Sequence, residues 1–279
     1  MSITDFDLPG FIAGLHINPM YCISGLLVGM LVGLTGVGGG SLMTPLLVLL
    51  FHVHPATAVG TDLLYASITK GVGTMVHGTK RTINWAIVGL LALGSIPATV
   101  ATLALIQHFG KSDALSHMIT TFLGYALFLT AALLLLRGVI RKLAEKRQEK
   151  AVADNKPLHT GRRAVLTVLV GLVLGFLVSL SSVGAGALGV TALILLYPQL
   201  PTVKIVGSDI AHAVPLTFLA GAGYFLLGKV DVNLLVALLI GSIPGIIVGS
   251  FLAPKVPEKA LRVLLAGVLT LVGLKLVTS

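Results

Sequence analysis

Leu34-Thr35-Gly36-Val37-Gly38-Gly39-Gly40 returns 146 residues later as Leu180-Ser181-Ser182-Val183-Gly184-Ala185-Gly186. At an offset of 147, Gly60-Thr61-Asp62 returns as Gly207-Ser208-Asp209, and Gly94-Ser95-Ile96-Pro97 as Gly241-Ser242-Ile243-Pro244. The chain is one unit written twice, and glycines interrupt an apolar run at the same place in each copy. Duplicated halves with Gly-broken hydrophobic segments point to a solute-binding site near a bilayer midplane.

Composition sets the class. Hydrophobic residues make up 56% of the chain and charged residues 10%, with a mean hydropathy of +1.02, whereas soluble domains are about a quarter charged. The chain therefore reads as an all-α polytopic membrane protein with no room for a separate catalytic domain. The net charge of +9 is concentrated in one place. Nine Lys or Arg residues between Arg137 and Arg163 face only Glu145, Glu149 and Asp154. A basic connection between two hydrophobic halves belongs on the cytoplasmic side and meets lipid headgroups rather than nucleic acid. The single cysteine, Cys22, excludes an internal disulfide and a CxxC site. Asp5 and Asp7 stand where a signal peptide has basic residues.

Apolar runs between breakers predict helices over 20–35, 40–51, 57–78, 84–107 and 114–136, then 164–182, 186–197, 204–227, 232–252 and 259–277. This divides the chain into a first membrane repeat (1–136), a basic cytoplasmic linker (137–163) and a second repeat (164–279). The second segment of each copy is too short to span a core of about 30 Å unaided, so it is either re-entrant or part of a broken span. An odd number of crossings per repeat inverts one copy relative to the other. Lys80-Arg81, the linker, Lys204 and Lys255-Lys259-Arg262 then share the cytoplasmic side. A kinked single span made of the first two segments gives parallel repeats instead, with Lys204 and Lys255 outside.

Where a helix restarts inside the membrane, its first N–H groups lack partners and its dipole is positive, which suits an anion. Gly38, Gly39, Gly40 and Ser41 in one copy, and Gly184, Ala185 and Gly186 in the other, are the substrate-binding candidates on this ground. The alternative use of glycine is close helix packing, which fits Gly29, Gly33 and Gly36. Three ionised residues fall well inside predicted spans, namely Asp62, Lys70 and Asp209, and each costs roughly 2.5–3.5 kcal/mol to place at the bilayer centre. Asp62 and Asp209 are repeat mates, suited either to proton coupling or to hydrogen bonding of the broken-helix backbone. Lys70 has Thr217 as its mate and can attract an anion off the symmetry axis, form an ion pair or snorkel. His77 and His212 are further proton-coupling candidates, and Thr61, Ser67, Ser181, Ser182 and Ser208 are candidate contacts for oxyanion oxygens. His52 and His54 have no further ligands nearby, so neither a metal nor a cofactor is expected.

Gly36-Val37-Gly38-Gly39-Gly40 followed by Pro45, Ala58-Val59-Gly60-Thr61, His77-Gly78 and Ile83-Asn84-Trp85 ahead of a Gly-x-x-Pro helix resembles the TauE/SafE sulfite exporter family. The likeness runs nearly the whole chain. It departs at Asp62, where many relatives carry a small polar residue, and at Gly184-Ala185-Gly186, a weakened triple glycine. The resemblance implies a multi-pass protein of a bacterial inner membrane that exports or imports sulfite, sulfonates or related sulfur-containing organic anions. The reading is a secondary transporter with inverted repeats, proton-coupled, working by alternating access and not an enzyme. Its partners are a small anionic substrate and membrane lipids, with no nucleic acid, and its oligomeric state is open. An uncoupled anion channel is the alternative. A membrane-embedded lipid-phosphate enzyme ranks lower, because no arginine lies deep in a predicted span.

Overall fold

The computed structural model describes residues 18–35, 40–79, 81–109, 113–153, 160–184, 186–252 and 257–278. Among these residues there is no strand, and ten helices form. They are α1 (Pro19–Thr35), α2 (Gly40–Leu50), α3 (Pro55–Thr79), α4 (Trp85–Phe109), α5 (Asp113–Ala153), α6 (Thr160–Ser181), α7 (Ala187–Leu196), α8 (Thr202–Leu226), α9 (Val232–Leu252) and α10 (Glu258–Thr278). Each half contributes five, with the short one second, as the spacing of breakers predicts. The difference lies in α5, whose 41 residues carry the helix well into the basic stretch. Lys, Arg, Glu, Gln and Ala are strong helix formers, so the helix continues where the apolar pattern stops.

Five of the described helices or helix portions are long and apolar enough to cross a membrane: 85–108, 117–136, 161–181, 202–226 and 232–249. Leu93 and Val100 on α4, Leu169 and Val173 on α6, and Ile247 and Phe251 on α9 are exposed, as lipid-facing side chains must be. The interior is different in kind. On α3, Thr61, Asp62, Ser67 and Lys70 are buried, and on α8, Ser208, Asp209, His212 and Thr217 are. Those two helices pack against each other. On the faces enclosed by protein rather than lipid they can carry polar groups that a lipid-facing surface cannot.

The most extensive pairings all join one half to the other: α1 with α9, α4 with α6, α3 with α8, and α5 with α10. Exchanging the halves turns the first pair into the second and leaves the other two unchanged. The atoms obey the same exchange. A Cβ on Gly25 would strike Leu238 O, and one on its mate Gly171 would strike Leu91 O. Gly29 meets Ser242 where Gly175 meets Ser95, and Gly241 meets Cys22 and Leu26 where Gly94 meets Val168 and Leu172. Small residues thus let α1–α9 and α4–α6 cross at backbone distance. The repeats are interlocked by four helix pairs, two of them equivalent to each other and two that each map onto themselves.

Candidate functional site

The second half shows how the helix is broken. After α6 ends at Ser181, the backbone turns through Ser182 (φ 57°), Gly184 (φ 117°) and Gly186 (φ 117°). Side chains with a Cβ rarely adopt that last φ, which is why the sequence spends glycines here. The Tyr224 hydroxyl donates to Ser179 O at 2.9 Å, satisfying a carbonyl of the last turn of α6. The restart is closed by the backbone itself, since Gly184 O accepts from Leu188 N at 3.1 Å and from Gly189 N at 3.4 Å. Two first-turn N–H groups of α7 are therefore already engaged. Gly38, Gly39 and Ala185 lie outside the described residues, while Gly40 and Ser41 open α2.

Around this break the buried charges gather. Asp62 Oδ2 accepts from Thr44 N at 3.2 Å and from Thr44 Oγ1 at 2.5 Å, which ties α3 to the start of its own short helix. Asp62 Oδ1 has no hydrogen-bond partner, and neither does Ser182 Oγ. The two groups nonetheless interact, so Asp62 of one half faces the helix break of the other. Asp209 takes the equivalent position in the second half, its Oδ1 lying where a Cβ on Gly189 of α7 would fall. Lys70 lies within electrostatic reach of both Asp209 and Asp62. All three residues are at most 7% exposed.

A second matched pair lies beside them. His212 Nε2 is 2.8 Å from Ser95 Oγ. The repeat mates are Tyr65 and Ser242, and the buried Tyr65 hydroxyl faces Ser242 without meeting hydrogen-bond geometry. His77 lies on α3, within Pro55–Thr79. Among the described residues no three His, Cys, Asp or Glu gather as metal ligands would.

Thr61 and Ser208 turn out to be tethers. The Thr61 hydroxyl accepts from Asp231 N at 3.1 Å, and the Ser208 hydroxyl accepts from Asn84 N at 2.8 Å. Asp231 and Asn84 are repeat mates that cap α9 and α4, with Asp231 Oδ1 accepting from Leu234 N and Asn84 Oδ1 from Ala86 N. Each hydroxyl therefore holds the opposite half's fourth helix by its N-terminus. Thr61→Val and Ser208→Ala should each lower stability by about 0.5–1.5 kcal/mol, because a part-buried hydrogen bond that anchors a helix N-terminus is lost. Thermal unfolding in detergent measures this, with anion affinity per folded molecule expected to hold. Lost affinity at unchanged melting temperature would instead place these hydroxyls on the substrate.

Thr44, Tyr65 and Asp231 were not singled out from the sequence, and Ser95, Asn84 and Ser242 stood in its motifs without a role at the site. Applying the 147-residue offset beyond the glycine motifs would have paired Asn84 with Asp231 and Tyr65 with His212. Nothing in the sequence marks Thr44.

Comparison with known proteins supplies the family. The family model described as Sulfite exporter TauE/SafE matches residues 21–276. A probable membrane transporter protein, YjnA, of Bacillus subtilis (strain 168) is 41% identical over 261 residues, covering 91% of this chain and 98% of the relative. A second protein of that strain, the probable membrane transporter protein YdhB, is 31% identical over 236 residues, covering 85% and 90%. No solved structure matches. The matched region contains both glycine runs and every buried charge described above, and the chain belongs to the sulfite exporter TauE/SafE family, as a multi-pass membrane transporter of the cell membrane.

Proposed function

We propose that this chain is a secondary transporter that moves a small sulfur-containing anion, sulfite or a sulfonate, together with protons, by alternating access of two inverted halves. One observation carries the reading. Two carboxylates and one ammonium are buried where α3 of one half meets α8 of the other, beside a break in α6–α7. Ionised groups held inside a membrane at roughly 2.5–3.5 kcal/mol each need a use, and a junction that both halves share is where a motion between them is felt. The ammonium supplies attraction for an anion. The carboxylates supply sites that gain and lose a proton. The family description supports sulfite and the outward direction, and five helices per half with one basic connection support inversion.

Purified protein in proteoliposomes decides this. Sulfite, sulfoacetate, methanesulfonate, taurine, sulfate and acetate are offered with and without a pH gradient. Sulfite or a sulfonate should be taken up preferentially and faster with the gradient. Uptake of sulfite that ignores the gradient would make the chain an uncoupled channel, and preference for acetate would remove the sulfur-anion assignment.

A further inference from the structure

We propose that Lys70 and His212 together hold the oxyanion, with Ser95 as the positioning residue that fixes the His212 ring so that Nδ1–H faces the bound anion. This rests on the anion-transport reading above and names the residues that recognise the substrate. It also moves His212 from the coupling residues to the anion.

The argument begins with an unmatched atom. His212 is 1% exposed, its Nε2 is engaged by Ser95 Oγ at 2.8 Å, and its Nδ1 has no hydrogen-bond partner. A neutral imidazole has one donor and one acceptor nitrogen. When the Ser95 hydroxyl donates to Nε2, the ring proton sits on Nδ1 and becomes a buried donor without an acceptor. Such a group is costly until an oxygen reaches it. Lys70 is the charged group that acts on this ring, so the free donor and the buried ammonium belong to one locality.

The repeat supplies an independent observation. Lys70 has Thr217 as its mate, and that hydroxyl donates to Ala213 O at 2.8 Å within its own helix. His212 has Tyr65 as its mate. Two departures from symmetry, one in each half, therefore lie on the two helices that pack as α3 and α8. A site built at one of two equivalent places suits a single small ligand bound off the axis.

Charge then links the anion to the proton. The titratable groups in reach are Asp62, Tyr65 and Lys70 on α3 and Asp209 on α8. Among the described residues α4, α7 and the break bring Ser95, Gly189 and Ser182, none of them charged. One ammonium beside two carboxylates opposes an incoming anion until a carboxylate takes up a proton. Anion and proton must then favour each other's binding reciprocally. A sulfite or sulfonate head has three oxygens, enough to accept from Nζ and Nδ1–H at once.

The test is calorimetric titration of the purified protein with sodium sulfite and sodium methanesulfonate. His212→Gln can still reach Ser95 but lacks a donor at the Nδ1 position, and its affinity should fall about tenfold. His212→Asn places an amide N–H where Nδ1–H was and should stay within about threefold of wild type. Ser95→Ala frees the ring and should fall between the two. Nitrogen-15 NMR of histidine-labelled wild type, assigned by difference against His212→Asn, should show the proton on Nδ1. Should the Asn variant fail to fold, the Ser95→Ala spectrum supplies the assignment. Undiminished affinity in His212→Gln, or a ring protonated on Nε2, overturns the pairing while leaving anion transport standing. Wild-type protein that binds neither anion overturns the substrate reading and the pairing with it.

Discussion

Gly241→Leu and Gly94→Leu are each expected to yield no folded protein after extraction, whereas Gly89→Ala and Gly267→Ala should fold at least as stably as wild type. A Cβ on Gly241 would collide with Cys22 O and stand 2.8 Å from Leu26 N; on Gly94 it would collide with Val168 O and stand 2.6 Å from Leu172 N. These neighbours are backbone, so no rotamer change relieves the overlap and the helices themselves must separate. Overpacking ordinarily costs about 1–3 kcal/mol, and a leucine driven into a facing backbone exceeds that range. Nothing lies within 4 Å of a Cβ on Gly89 or Gly267, and alanine there gains helix propensity of about 1 kcal/mol. Size-exclusion profiles and melting temperatures in detergent measure the contrast. A Gly241→Leu protein that melts with wild type would mean that α1 and α9 are not packed as described.

That pairing illustrates what the sequence could and could not reveal. Gly29 and Gly33, four apart on α1, mark a close crossing, yet the spacing is silent on the partner. Helix α1 meets α9 of the other half rather than a neighbour in its own. Element boundaries were legible because breakers and apolar runs act locally. α5 overran its expected end because hydropathy reports where the membrane stops, while Lys, Arg, Glu and Ala continue to favour helix beyond it.

The site divides the same way. Asp62, Lys70 and Asp209 stood out because charge inside an apolar span is rare, and the structure does bring them together. Thr61 and Ser208 were legible only as hydroxyls. Whether a hydroxyl serves a ligand or an N–H 170 residues along the chain depends on the pairing of helices. Tyr65 escaped notice because its mate is a histidine, and identity of position survives a change of chemistry that motif matching does not follow.

Asp62→Asn is expected to fold, to keep anion exchange and to lose uptake driven by a pH gradient, by a factor of roughly 5 to 150, the usual span of a coupling free energy. The expectation follows from what each oxygen does. Oδ2 accepts both the N–H and the hydroxyl of Thr44, a role the asparagine carbonyl can fill. The amide NH2 then faces Ser182 Oγ, which lacks a hydrogen-bond partner in the native chain and can accept. The substitution therefore copies the protonated acid in shape and hydrogen bonding but cannot release a proton. Exchange of anion for anion needs no net proton movement and should persist. Concentrative uptake needs a carboxyl that changes state during the cycle and should collapse. Asp209→Asn meets the start of α7 at the equivalent place and should show the same separation if both carboxyls take part. Lys70→Met should do the reverse, weakening anion affinity in exchange and uptake alike, because attraction for the substrate is lost rather than coupling. Proteoliposome uptake and counterflow, compared at equal folded protein, separate the two patterns. An Asp62→Asn protein with wild-type dependence on the gradient would assign Asp62 to the Thr44 tether alone and leave coupling to the second carboxyl.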